Sequence, residues 1–310
     1  MLNAIARIRE LLNQYVIGHD DIKEGILLAL LAREHVYIEG APGTAKTMLA
    51  EITARAASLE FYFYQFHRDT RLSELIGDYV IQRDDTEDGE IIRQRLIRGG
   101  ILTAQLAVLD DITRAPGEAL NILLRLLNER EYMGEKLPLI TAIATSNPTQ
   151  DDYYNEPLDL ANLDRFAIQL KSNGLISQGS WHEAKAVVDF YTDHIFNKES
   201  IEGVADTDIF YKPDESLLSI TVSREIRALL LQFLERLVNN FHLDETNSLL
   251  TDRTFLVKAV RILKAKAMIE GRMEVIPEDL SVLKYLTTFR VPEEAQIRVD
   301  EILTDLVKKN

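Results

Sequence analysis

The 310-residue chain contains no cysteine, which excludes a disulfide framework and thiolate metal sites and suits a reducing compartment. Long apolar runs are missing too. The longest, Ile26 to Ala32, is far too short to span a bilayer. The opening stretch Met1 to Glu10 has an amphipathic helix pattern without a signal-peptide core. Positive charge is scarce, with 35 Lys and Arg against 50 Asp and Glu, a net charge of −15. Such a surface repels duplex nucleic acid, so general DNA or RNA binding is disfavoured. Arg93, Arg95 and Arg98 are the best basic stripe, and a solvated hairpin face explains them more simply. No repeat or low-complexity tract interrupts the chain. With 46% hydrophobic residues it can bury a sizeable core. The expectation is a cytoplasmic globular protein without membrane insertion.

What is present is concentrated in Gly40-Ala41-Pro42-Gly43-Thr44-Ala45-Lys46-Thr47. The apolar run His35 to Glu39 before it suits a buried strand, and Met48 to Ala57 after it is a good helix former. Strand, glycine-bearing loop and helix form the context of a phosphate-binding loop. Backbone N–H groups at a helix N-terminus favour a polyphosphate. Lys46 would reach the β- and γ-phosphates, and the Thr47 hydroxyl would ligate Mg²⁺. The usual glycine before the lysine is Ala45 here. Alanine fits only in a helical conformation, because a positive φ would strain it.

Residues 1–172 alternate between apolar runs and helical patterns, which predicts an α/β fold: a three-layer αβα core with a parallel sheet. The expected strands are Val36–Glu39, Phe61–Phe66, Leu106–Leu109, Leu139–Thr145 and Ala167–Leu170. Two hairpins interrupt them, one near 79–97 around the polar turn Asp84 to Gly89, the other near 131–138 with Gly134 at its turn. From 173 to 310 the pattern is a linker followed by an all-α lid, with helices near Trp181–Phe196, Ser223–Phe241, Asp252–Glu270, Pro277–Thr287 and Pro292–Lys308. The acidic stretch Lys198 to Ser219 reads as an irregular surface loop.

Ala107-Val108-Leu109-Asp110-Asp111 is an apolar strand ending in two acids, about 64 residues after Lys46. Beside a phosphate loop, Asp110 would hold Mg²⁺ and Asp111 would orient the attacking water. Most ATPases with this strand carry glutamate in the second place. Aspartate is one methylene shorter, so its oxygens fall about 1.5 Å short. Asn147 ends a third strand, Thr141 to Ser146, and could bond the γ-phosphate or the lytic water. Arg165, in Leu163-Asp164-Arg165-Phe166 after a proline-led helix from Pro157 to Asn162, is a candidate for charge stabilisation in trans, or else for a surface pair with Asp164. Arg253 follows the cap-like Thr251-Asp252, and Arg224 follows Ser223 in the same way. A cation in a helix's first turn opposes the dipole unless a phosphate recruits it.

Together these residues resemble the MoxR family of AAA+ ATPases over nearly the whole chain. The likeness includes Val16-Ile17-Gly18-His19-Asp20, Leu30 to Val36 leading into the loop, Asp110 to Pro116, and Leu127 to Glu131. In the lid it includes Thr251-Asp252-Arg253, Met268 to Arg272 and Val275 to Leu280. The wording around Leu120–Arg130 and Arg253 is most similar to the RavA-like branch. The resemblance implies that Ile17 and Gly18 pack the adenine ring and that Gly40 to Thr47 with Met48 hold ATP. It favours Arg253 over Arg224 as the lid sensor, on the same ATP as Lys46. It also implies a homo-oligomeric ring, hexameric, with both hairpins facing the pore, and a protein client carrying a von Willebrand factor A domain. Chaperone-like remodelling driven by ATP hydrolysis is the function expected. A nucleotide-gated scaffold with little hydrolysis is the alternative that Asp111 motivates. A nucleic-acid motor or magnesium-chelatase-type subunit is a third, opposed by the acidic charge.

Overall fold

The computed structural model describes residues 2–86, 89–148, 158–193, 201–203, 210, 213–250 and 253–308. In chain order the core comprises α1 (Leu2–Tyr15), α2 (Asp20–Ala32), β1 (Val36–Gly40), α3 (Lys46–Ala56), β2 (Phe61–Gln65) and α4 (Leu72–Ile76). Then come β3 (Gly77–Thr86), β4 (Gly89–Arg98), β5 (Leu106–Asp110), α5 (Gly117–Glu129), β6 (Glu131–Tyr132), β7 (Glu135–Lys136), β8 (Thr141–Ser146), α6 (Leu160–Leu163) and β9 (Ile168–Ser172). Five strands form a parallel sheet in the order β2-β5-β8-β1-β9. Each expected strand is present, displaced by one or two residues at its ends.

The inner strands β5, β8 and β1 are covered on both faces, as helical crossovers between parallel strands require, while the edge strand β2 is partly exposed. The sheet's side chains sort by the two-residue period of a strand. Val36, Ile38, Leu106, Val108 and Ile143 face one apolar cluster with α1, α2 and α3. Tyr37, Ala107, Leu109, Ala142 and Ala144 face a second with α5 and Phe166.

The hairpins form as the sequence predicts. β3 pairs antiparallel with β4 from Gly77↔Arg98 to Thr86↔Gly89, and β6 pairs with β7. Residues 87–88 of the first turn lie outside the described residues, as do Pro157, Thr251 and Asp252. The two hairpins touch through the Tyr79 hydroxyl on the Met133 sulfur (3.9 Å) and an Arg98–Glu135 ion pair.

The later helices are α7 (Trp181–Asp193), α8 (Pro213–Leu218), α9 (Arg224–Phe241), α10 (Arg253–Ile269), α11 (Lys284–Thr287) and α12 (Glu293–Lys308). Two expectations change here. The stretch read as an irregular loop contains α8, and its Phe210 and Leu217 are buried in the main core. Pro277 opens a 3-10 segment, Pro277–Leu283, before α11. Asp279 ties it down by accepting two bonds from Arg272 (2.8 and 2.5 Å) and one from the Ile276 N–H (2.9 Å). A carboxylate with three donors fixes a short turn that its own backbone bonds would hold poorly.

α10 packs along α2, and the buried residues of both belong to one apolar cluster. Polar contacts set its direction. Arg261 donates to the Ala32 carbonyl at the end of α2 (2.8 Å), and Lys266 donates to Glu24 near its start (2.6 Å). The helices therefore run antiparallel. Phe233, fully buried on α9, anchors the far side of this layer. Phe233→Ala should cost about 3–5 kcal/mol through lost transfer energy and the cavity left behind. Urea denaturation followed by far-UV circular dichroism checks this; a loss below about 1 kcal/mol would mean that the lid core is not packed around that ring.

Candidate nucleotide site

β1 ends at Gly40 against Ser172 of β9. A Cβ on Gly40 would stand 2.4 Å from the Ser172 carbonyl oxygen, so only glycine lets the two backbones approach. Gly43 turns the loop with φ +81°. The Thr44 hydroxyl closes it on the Ala41 carbonyl (2.9 Å). Lys46 Nζ donates to the Gly40 and Ala41 carbonyls (2.6 and 2.9 Å), which holds the amine inside the loop. Burial pushes the Lys46 amine below its ordinary pKa, and Asp110 and Asp111 oppose that shift. No side chain caps the N-terminus of α3. Its first N–H groups thus point where an anion would be received.

Ala45 does not adopt the helical conformation that alanine prefers. It sits at φ 57°, ψ 15°, in the left-handed region. The loop geometry overrides the residue's own preference, at a cost of about 1–2 kcal/mol.

The acids meet β8 in a continuous hydrogen-bonded row. The Thr145 hydroxyl donates to Asp110 Oδ1 (2.5 Å) and accepts from the Asp111 N–H (3.3 Å). Asn147 Nδ2 donates to Asp111 Oδ1 (3.0 Å), and Arg114 Nε lies 3.5 Å from Asp111 Oδ2. Asp111 also has a positive φ of 53°, at the start of the 3-10 turn Ile112–Arg114. Burial raises its carboxyl pKa, with Arg114 the first opposing charge. A carboxylate made more basic in this way is better able to accept a proton from water.

Loop and row face one cavity of about 1150 Å³. Ala41 to Met48, Asp110, Asp111 and Asn147 all line it, as do Val16 and Ile17. Gly18, at φ +74°, packs beside Leu175 and Glu183 next to them. The sequence reading missed several contributors. His19, Gln65 and Arg114 line the cavity, and Arg114 stood three residues after Asp111 at salt-bridge spacing. The larger omission is α7, whose Ala184, Val187, Val188 and Tyr191 also line it. They fall at i, i+3, i+4 and i+7, one helical stripe. No residue of α7 is buried, so this stripe covers the cavity rather than a core.

Oxygen donors from Thr47 and Asp110 suit a hard cation. The described residues contain no cluster of three His, Cys, Asp or Glu that could hold a metal alone.

Two arginines stand elsewhere. Arg165 is exposed and precedes β9, at the N-terminal edge of the sheet, where the Ile168 N–H bonds the His35 carbonyl (3.2 Å). A five-residue strand puts that edge about 16 Å from the loop. The surface pair with Asp164 gives way to others, since Asp164 faces Lys258 and Arg290. Arg253 stands apart from the cavity. It begins α10 thirteen residues before Lys266, so it lies about 20 Å along the axis from Glu24 and the cavity end of α2. Neither Arg253 nor Arg224 lines the cavity.

The pattern of a strand-borne phosphate loop, an acid pair and a polar strand end on this sheet order defines an AAA+ nucleotide-binding core. The family described as the MoxR domain in the MoxR-vWA-beta-propeller ternary systems matches residues 3–184, and an AAA lid domain matches residues 226–302. The chain belongs to the MoxR family of AAA+ ATPases. An uncharacterized protein of Methanocaldococcus jannaschii is 27% identical over 296 residues, 92% of this chain and 70% of that one. Chaperone MoxR1 of Mycobacterium tuberculosis is 30% identical over 164 residues, 50% of this chain and 40% of its own. A candidate ATPase of known structure from Cytophaga hutchinsonii superposes with a TM-score of 0.73 at 20% identity, covering 100% of this chain and 94% of that one. No helix of the described residues is long and apolar enough to cross a membrane.

Ala45→Gly should relieve the left-handed strain and raise stability by about 1 kcal/mol. Chemical denaturation of the two proteins side by side measures it. A loss of stability in the glycine variant would contradict the positive φ.

Proposed function

We propose that the chain binds ATP with Mg²⁺ and hydrolyses it, in the cytoplasm, at the boundaries between copies in a hexameric ring, using the cycle to remodel a protein partner. The observation that carries this reading is that Asp110, Asp111 and Asn147, the acids joined through Thr145, line the same cavity as the phosphate loop. In it the loop and Lys46 take the phosphates, and Thr47 and Asp110 would hold Mg²⁺. Bound there, the ion would supply charge neutralisation on the phosphate oxygens. Asp111, steadied by Asn147, orients water and accepts its proton. Ile17, Gly18 and the stripe of α7 enclose the base. Arg165 cannot reach the site of its own subunit from the opposite edge of the sheet, so it serves the next one. Arg253 lies toward the same edge, which makes a neighbour's phosphate its nearest role. The family's description names von Willebrand factor A and β-propeller components, which supports a von Willebrand factor A protein as the client.

A nucleotide-gated scaffold is the second reading. Asp111 is short, and Asn147 and Arg114 already engage its two oxygens. Turnover rates separate the two.

Lys46→Ala should abolish or severely weaken ATP binding, because backbone N–H groups alone cannot neutralise the phosphates. Titration with a fluorescent ATP analogue tests it, and unchanged affinity would remove the phosphate-loop assignment. Asp111→Asn should keep ATP binding and lose most hydrolysis, since an amide cannot accept the proton. It should also raise thermal stability at neutral pH. Asp111's folded pKa is raised, so its ionised form disfavours the fold, and stability falls as pH rises through that pKa. The stability difference should vanish in acid. Native-rate hydrolysis by Asp111→Asn would assign the water to another residue.

Arg165→Ala should lower hydrolysis by about a thousandfold with nucleotide affinity near native. Mixed with Lys46→Ala subunits it should regain activity, because some interfaces then pair an intact loop with an intact arginine. Mixed rings seen by native mass spectrometry without any rescue would place Arg165 outside the reaction.

A further inference from the structure

The segment Asp164–Ala167, which carries Arg165, has little regular structure of its own, yet it is held from outside by two lid cations. Arg290, 2% exposed, donates through Nη2 to the Phe166 carbonyl (2.7 Å) and through Nη1 to the Ala167 carbonyl (3.0 Å). The same guanidinium lies 3.5 Å from Asp164 Oδ1. Nη1 also donates to the Leu286 carbonyl of α11 (2.7 Å), and Nε finds no hydrogen-bond partner among the described residues. Lys258 of α10 donates to the Asp164 carbonyl (2.5 Å) and stands 3.9 Å from Oδ1. Arg165 thus sits between two residues whose backbone oxygens are both bonded to the lid, while its own side chain is exposed.

Burying a guanidinium is costly without bonded partners, and Arg290 directs three of its donors at this one segment. Next to it the Phe289 N–H donates to Gln169 Oε1 (3.2 Å), and Gln169 Nε2 returns to the Leu163 carbonyl (2.9 Å). The stretch on either side of Arg165 is therefore anchored to the α11–α12 junction as well as to α10.

We propose that Lys258 and Arg290 are positioning residues that clamp Asp164–Ala167 to the lid, so that the lid of one subunit aims the Arg165 that completes its neighbour's site. This rests on the trans role of Arg165 proposed above. The clamp acts only through that arginine, and its loss leaves the subunit's own loop and acid row intact.

The test uses Lys258→Met, which keeps the apolar stem and removes the amine. Asp164→Asn serves as a second variant that weakens both ion pairs without touching the lid. Each should lower kcat on the order of ten- to a hundredfold, as expected of a misplaced reacting group, with nucleotide affinity and ring assembly unchanged. Lys258→Arg should restore activity. Subunit mixing discriminates further. Lys258→Met should be rescued by Lys46→Ala subunits, which contribute well-aimed arginines, and not by Arg165→Ala subunits, which contribute none. If Arg165→Ala is rescued by Lys46→Ala but Lys258→Met is not, Lys258 serves its own subunit and the clamp is overturned. Rescue of Lys258→Met by Arg165→Ala would overturn it as well, since the effect would not pass through Arg165. If even Arg165→Ala fails to be rescued in verified mixed rings, the trans reading falls, and the clamp with it.

Discussion

The site depends on the parallel register of β1, β5 and β8. Pairing of Leu109 with Ala144 and of Glu39 with Ser146 brings Gly40, the Asp110–Asp111 pair and Asn147 to one edge of the sheet. The register is fixed by volume. Three alanines with Tyr37 and Leu109 occupy one face, while Val36, Ile38, Leu106, Val108 and Ile143 fill the other. A slip of one residue would exchange the faces, forcing bulky side chains against α5 and leaving voids beneath α2 and α3. It would also move Asp110 away from the Thr145 hydroxyl. The apolar core and the polar row are thus set by a single pairing.

Around the cavity the chain holds three non-glycine residues in the left-handed region, His19, Ala45 and Asp111. Each costs on the order of 1 kcal/mol or more and persists because neighbours over-determine it. Ala45 is bounded by the Thr44 turn and the first turn of α3. Asp111 is fixed by Thr145, Asn147 and Arg114. The conformation aims the Asp111 carboxylate along the row, where Asn147 holds it.

The lid helices and the cavity stand in an unexpected relation. α10 lies alongside α2 and carries its first residue away from the phosphate loop, whereas α7 covers the cavity. The lid is bonded to the opposite edge of the sheet, through Arg261 at Ala32, Lys258 at Asp164 and Arg290 at Phe166 and Ala167, and to the start of α2 through Lys266 at Glu24 and Lys284 at Asp21. The lid consequently bears on the edge from which Arg165 projects. In the ring proposed above, that arrangement would give the lid influence over the adjoining site.

The sequence by itself determined the elements whose chemistry is local. The phosphate loop was legible because a strand, a glycine turn and a helix lie in unbroken succession. The acid pair and Asn147 were legible because each ends an apolar strand, and ligands of parallel sheets gather where strands end. The hairpins showed in their alternation and their polar turns. Only the tertiary structure decided the rest. Ala45 takes a backbone angle that its own sterics disfavour, because the loop as a whole requires it. Phe210 and Leu217 sit in an acidic stretch without clear periodicity, and packing alone reveals them as core. The stripe of α7 has the spacing of a core-facing helix, and nothing local distinguishes a core from a cavity. Arg165 and Arg253 carry no mark in their neighbourhoods of which sheet edge they occupy. That depends on the direction of β9 and on the antiparallel docking of α10 against α2, contacts made between residues more than two hundred positions apart in the chain.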